Sequence, residues 1–188
     1  MSILEIIKYP DPRLHEKSSP IDVFDDKLLQ TTKDMGETMH SARGIGLAGV
    51  QVAIMKQILV IDISDMDEEE SDSEERSKKL RSFLPENVET YINPKITKFV
   101  GETSYEEGCL SIPGVYGKVK RAESIVLEYN DPEGNLIEEE AEGLRAIVLQ
   151  HEIDHLNGVL FTDRVGPMQK MMLLKKYKKL QQDKDEGL

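Results

Sequence analysis

Cysteine is almost absent from this sequence, basic residues are outnumbered, and no long apolar run occurs. The single cysteine, Cys109, cannot close an internal disulfide, so no oxidising compartment is implied. No apolar stretch approaches the roughly 18 residues that a membrane-spanning helix needs, so no membrane partner is expected. Residues Met1 to Lys8 meet charge too early for a secretory signal and lack the Arg/Ser-rich, acid-poor look of an organelle presequence. A cytoplasmic location is the resulting expectation. Acidic residues outnumber basic ones by 36 to 24, a formal charge of −12. That excludes a protein whose whole surface is basic for nucleic-acid binding, and no DNA partner is expected. No internal repeat is visible.

The chain has 188 residues, the size of one domain with a substantial core. Its charge is uneven. Much of the acid excess lies in Asp65 to Glu75, within an acidic, serine-rich stretch at about 64–88 that reads as a solvated surface insertion. Much of the base lies between Lys170 and Lys184. Tyr9-Pro-Asp-Pro12 reads as turns. Asp25 to Ala42 has the three- and four-residue apolar spacing of an amphipathic helix, with Asp25 as its N-cap and Gly44 just past its end. Gln57 to Ile63 is a β-branched run that predicts a buried strand, and Tyr91–Val100 and Ser124–Asn130 predict two more. Asp131-Pro-Glu-Gly134 predicts a turn that pairs Ser124–Asn130 with Leu136–Glu140 as a hairpin. Glu140 to Asn157 predicts a second helix, with Leu144, Ile147, Val148, His151 and His155 on one face and Gly158 at its C-terminal cap. A third, basic helix is expected at about 167–182, opening on Pro167. Together these predict one α+β domain over residues 1–188, with antiparallel strands packed around a central helix and a C-terminal helix after it.

The chemistry concentrates in His151-Glu152-Ile153-Asp154-His155. Residues four apart share a helix face, so both imidazoles can reach one ion, while Glu152 can meet a water bound to it. This HExxH pattern is a signature of metal-assisted hydrolysis. Two histidines on an apolar face would otherwise carry a desolvation cost. A catalytic site needs three protein ligands and an open position. The residues after His155 offer only Asp163, and His15 and His40 stand upstream in settings that read as structural or surface. Cys109, in Glu107-Gly-Cys-Leu-Ser-Ile-Pro113, would complete a Cys/His/His set as its thiolate, although a lone cysteine is more often a small buried hydrophobe. Gly44-Ile-Gly-Leu-Ala-Gly-Val-Gln51 reads either as a tight turn packed on the preceding helix or as a small-residue loop that presents Gln51 as an amide donor to an oxyanion. It does not read as a phosphate loop, because no Lys-Ser/Thr follows.

Three segments in this order, GIGLAGVQ (44–51), EGCLS (107–111) and QHEIDHLNG (150–158), resemble the peptide deformylase family. The resemblance extends to Lys118–Glu123 and Ile6–Pro12, and it spans most of the chain apart from the acidic stretch and the last few residues. It implies a hydrolase that removes the formyl group from the N-terminal formyl-methionine of new polypeptides, releasing formate through a metal-bound hydroxide. It implies Cys109, His151 and His155 as metal ligands and Glu152 as the acid/base. The Gln51 side chain and the Leu110 N–H are implied as oxyanion donors. The backbone around Gly46, and Arg121, would hold the substrate chain, and Leu144, Ile147 and Val148 would line the methionine pocket. One divalent ion per chain is implied. Ligand chemistry alone favours zinc, whereas the resemblance implies Fe(II), with Zn, Ni or Co as substitutes. Formyl-methionyl nascent peptides are the implied partners. The basic helix, whose Met168, Met171, Met172, Leu174 and Leu180 form an apolar side, reads first as a surface helix docked on the core; the sharper reading, which the resemblance implies, is contact with the ribosome through its lysines.

Two departures from the family pattern stand in the first motif. Gly49 replaces the usual alanine and Val50 the most common proline, and both changes add backbone freedom that could loosen Gln51. Altered efficiency, not lost activity, is the expectation. The rival readings are an HExxH endopeptidase with a downstream third ligand and a non-catalytic ribosome-binding or structural module of the same fold.

Overall fold

A computed structural model describes residues 2–64 and 87–185. The acidic stretch expected at about 64–88 lies almost wholly outside the described residues. Its flanks meet, since Asn87 Nδ2 donates to Ser64 Oγ at 3.0 Å.

Among the described residues, seven strands and three α-helices build the fold. Helix α1 spans Asp26–Ser41, and the Asp25 side chain accepts the Leu28 N–H at 2.9 Å as the predicted cap. Strands β1 (Gly46–Ala48), β2 (Ile58–Ile61) and β3 (Glu89–Val100) follow, then β4 (Thr103–Cys109), β5 (Ile112–Arg121), β6 (Ser124–Asn130) and β7 (Leu136–Glu142). Helix α2 covers Gly143–Leu156 and α3 covers Pro167–Asp185. One sheet runs β1-β2-β3-β6-β7, antiparallel throughout, and β4 pairs with β5 in a second, smaller sheet. The fold is therefore α+β, as the sequence predicts.

Strand β2 shows why its sequence is an unbroken apolar run. Leu59 and Ile61 pack toward α2 with Ala146, Leu149 and Ile153, while Ile58 and Val60 pack toward α1 with Met35 and Met39. Both faces are buried, so no polar alternation survives. Helix α2 thus sits against one face of the sheet and α1 against the other. The small sheet has its own core, in which Ile112, Val115 and Val119 meet Leu14, Phe161 and Tyr177.

Three expectations need correction. The second helix begins at Gly143, not Glu140, because Glu140–Glu142 extends β7 in register with Ser124–Val126. Gly143, at φ +58°, makes the change of direction. The β4–β5 sheet and strand β1 were not expected at all. Finally, α3 docks through Leu173, Tyr177 and Leu180, whereas Met168, Met171 and Met172 of the expected apolar side are exposed.

Candidate metal centre

Helix α2 carries the HExxH segment through the middle of the molecule, where His151, Glu152 and His155 are all buried. The end of β4 brings Cys109 to the same point. Cys109 Sγ lies 3.2 Å from His155 Nε2, which lies 3.2 Å from His151 Nε2. The three donor atoms all fall within 4.8 Å of one another. Around one tetrahedral ion with bonds of roughly 2.0–2.3 Å, such atoms stand roughly 3.3–3.6 Å apart, so the set fits a single metal. Among the described residues this is the one group of histidine, cysteine or acid side chains drawn together in that way.

The ring orientations agree. His151 directs Nδ1 to Glu107 Oε2 at 2.8 Å, which leaves Nε2 for an ion. Behind this contact runs a buried relay of charge. Arg121 donates from Nε and Nη2 to Glu107 at 2.7 and 2.9 Å and from Nη1 to Asp154 at 2.5 Å. Arg164 closes the chain on Asp154 at 2.9 Å. Burial pushes the Glu107 carboxyl up, but the bonds from Arg121 and His151 outweigh it and hold its pKa at about 2. Glu107 is thus an anion, able to fix the His151 tautomer and raise its basicity as a ligand. The sequence reading missed Glu107, Asp154 and Arg164 in these positions. The available signal was that Glu107 and Asp154 lie inside the two ligand motifs.

Glu152 is not part of that relay. Burial raises its pKa to about 7, and nearby Glu107 adds to the effect against His151 and Arg121. Its Oε2 has no hydrogen-bond partner among the described residues. A buried carboxylate that can gain or lose a proton near neutrality, with one oxygen left over beside a metal-ligand set, is suited to acid/base work.

Gln51 closes the site from the 3-10 turn Gly49–Val52, which follows β1. Its Oε1 accepts the Ala48 N–H at 2.8 Å, so Nε2 is the end turned to the site, 3.5 Å from Cys109 Sγ and 3.3 Å from Ser111 Oγ. The looseness expected from Gly49 and Val50 is not what the packing provides. Both are buried, and Gly49 is so enclosed that an added Cβ would lie 2.8 Å from the Ile54 carbonyl oxygen and from Ile58 Cγ2.

A cleft of about 510 Å³ opens beside this cluster. Gly46, Gln51, Cys109, Leu110, His151 and Glu152 stand along it, and Leu144, Ile147 and Val148 supply an apolar flank. Arg121 does not line the cleft. Its side chain is 3% exposed and its guanidinium is spent on Glu107 and Asp154. Arg121, expected to help hold the substrate chain, thus has its side chain behind Glu107 and away from the cleft. The remaining sequence candidates lie elsewhere. His15 Nδ1 meets the Gly158 carbonyl at 3.2 Å on the surface, His40 pairs with Asp62 at 2.9 Å, and Asp163 caps a turn through the Leu160 N–H at 2.8 Å. Asp163, the downstream carboxylate an HExxH endopeptidase would need as third ligand, is thus not in the cluster.

The polypeptide deformylase family model matches residues 3–171. The chain is similar to the peptide deformylase of Chromobacterium violaceum, at 45% identity over 95% of this chain and 96% of that one. Among solved structures it is similar to a peptide deformylase from Legionella pneumophila, with a TM-score of 0.83, 38% identity and 98% of each chain covered. It is also similar to one from Synechococcus elongatus solved in complex with actinonin, with a TM-score of 0.79, 39% identity, and coverage of 94% of this chain and 88% of that one.

Proposed function

This chain belongs to the polypeptide deformylase family of metal-dependent hydrolases, and from that premise we propose that it removes the formyl group from the N-terminal formyl-methionine of new polypeptides and releases formate. The observation that carries the reading is the convergence of Cys109, His151 and His155 beside Glu152 and Gln51 at one cleft. Cys109, His151 and His155 would hold the ion. A divalent metal bound there supplies the Lewis acidity that makes water nucleophilic near neutral pH.

The protein's own groups do the rest. Leu144, Ile147 and Val148 receive the methionine side chain, and the backbone at Gly46 aligns the peptide. Glu152 takes a proton from the attacking water as a new C–O bond forms at the formyl carbon. Gln51 Nε2 and the Leu110 N–H donate to the formyl oxygen as it gains negative charge. When the C–N bond breaks, Glu152 returns the proton to the leaving amine, so formate and a free methionyl amine result.

We further infer Fe(II) as the native ion, with Zn, Ni or Co able to occupy the same ligands, a cytoplasmic location, a single catalytic domain over 1–188, and docking to the ribosome through the basic outer face of α3. In support of that docking, Lys175, Lys176, Lys178 and Lys179 are all exposed. Replacing those four lysines by glutamate should abolish co-sedimentation with ribosomes and leave turnover of a short peptide intact; undiminished co-sedimentation removes the ribosome from the account. Truncation of α3 is the poorer test, since it would strip Leu173, Tyr177 and Leu180 from the core. The activity itself is tested by formate release from a formyl-methionyl tripeptide, beside its N-acetyl analogue and a casein-like substrate. Selective formate release supports the reading, and cleavage within the casein chain without formate would return the endopeptidase.

A further inference from the structure

The segment Ile7–Tyr9 lies across both loops that flank the ligand set. The Ile7 N–H donates to the Gln51 carbonyl at 2.8 Å and the Tyr9 N–H to the Ser111 carbonyl at 2.9 Å. Between them, Lys8 Nζ donates to the Leu110 carbonyl at 2.5 Å. That carbonyl shares a peptide group with the Ser111 N–H, and the Ser111 N–H donates to Cys109 Sγ at 3.4 Å. An ammonium therefore sits on one end of a peptide whose other end donates to the sulfur.

We propose that Lys8 is a positioning residue for the metal centre, its ammonium polarising the Leu110–Ser111 peptide so that the Ser111 N–H holds and stabilises the Cys109 thiolate as a ligand. Hydrogen bonds in series strengthen one another, and a cation on the carbonyl makes the N–H of the same peptide a better donor. Donors to a ligating atom set its orientation and its electron richness toward the ion. Lys8 acts from the outside: it is exposed, far in sequence from the three ligands, and reaches Cys109 through one peptide plane. The strap also fixes both sides of the cleft, because Ile7 is buried and the Tyr9 carbonyl accepts the Tyr177 hydroxyl at 3.0 Å. The inference rests on the ligand set assigned above.

The test uses the full chain loaded with Co(II), whose sulfur-to-metal charge-transfer band reports on the thiolate directly and needs no turnover. Lys8→Met keeps the length and removes the charge, Lys8→Arg keeps the charge, and Lys8→Gln is the second neutral variant. In Lys8→Met and Lys8→Gln the band should move to longer wavelength, since a less stabilised thiolate gives up an electron more readily, whereas in Lys8→Arg it should stay at the wild-type position. The value of kcat for formate release should fall in the neutral variants by about 10-fold, the low end for partners behind a ligand, with KM and thermal unfolding unchanged. An unmoved band in both neutral variants overturns the proposal, and so does an equal loss in Lys8→Arg, which would make the role one of shape and not of charge. Absence of formate release from the wild-type protein would instead count against the deformylase reading, whatever the spectra show.

Discussion

Gly46 on β1 lies directly against the carboxylate of Glu152 on α2: a Cβ at Gly46 would sit 2.9 Å from Glu152 Cδ and closer still to Oε1. The absence of a side chain at one position thus defines where the Glu152 carboxylate stands. Gly46→Ala should leave the sheet and the metal site intact, because the group that must move is the end of a side chain, but the carboxylate would be displaced. A misplacement on the order of 1 Å can cost about 10²-fold in rate. A kcat loss of that size with wild-type metal content is the expected result, and unchanged kcat would show that Glu152 has room the structure does not provide.

Glu152→Gln preserves size and leaves the three ligands untouched. Metal content should match the wild type, while formate release falls by about 10²–10⁴-fold, the usual contribution of a positioned acid/base. Wild-type-like turnover in this variant would remove Glu152 from that role.

Gly49 looks in the sequence like a weak point, yet it is enclosed by the Ile54 and Lys56 carbonyls and by Ile58. Gly49→Ala, which restores the residue more usual in the family, should destabilise the fold by about 1–3 kcal/mol through overpacking. Denaturant unfolding measures this; a gain in both stability and kcat would mean that the glycine is a defect after all.

Glu107 and Arg121 are buried and paired, and Glu107 also holds His151. Glu107→Gln leaves the Arg121 charge under-compensated and weakens the partner of a ligand. Metal affinity should drop by about 10–100-fold, read by competition with a chelator. An affinity equal to that of the wild type would make the relay a purely structural feature.

Much of the centre was legible because its chemistry sits in short segments. His151 and His155 share a face by helix period alone, Asp25 announces the start of α1, and the Asp131–Gly134 turn sets the β6–β7 register. Cys109 was legible only through its neighbours, since nothing in a linear spacing joins β4 to α2. The β4–β5 sheet was hidden for a physical reason. The inward positions of β5 include Gly117 and Arg121 beside Val115 and Val119, so its alternation does not read as apolar. Glu140–Glu142 misled in the opposite sense, since residues with helix-forming composition are claimed by pairing with β6, a tertiary override of local propensity. On α3 the exposed methionines imitate a packing stripe, while Tyr177 does the docking among lysines.

An iron-loaded site with a thiolate ligand should lose activity in air as Cys109 and the ion oxidise. Activity that survives long exposure while iron remains bound would contradict that oxygen sensitivity.

If Cys109, His151 and His155 hold one ion that serves deformylation, bound metal and formate release must stand or fall together. Both are measured on protein prepared without oxygen, for the wild type and Cys109→Ala. One ion per chain and rapid formate release are expected in the wild type, with both lost in the variant. Full activity in Cys109→Ala, or metal-replete wild-type protein that releases no formate, would contradict that assignment.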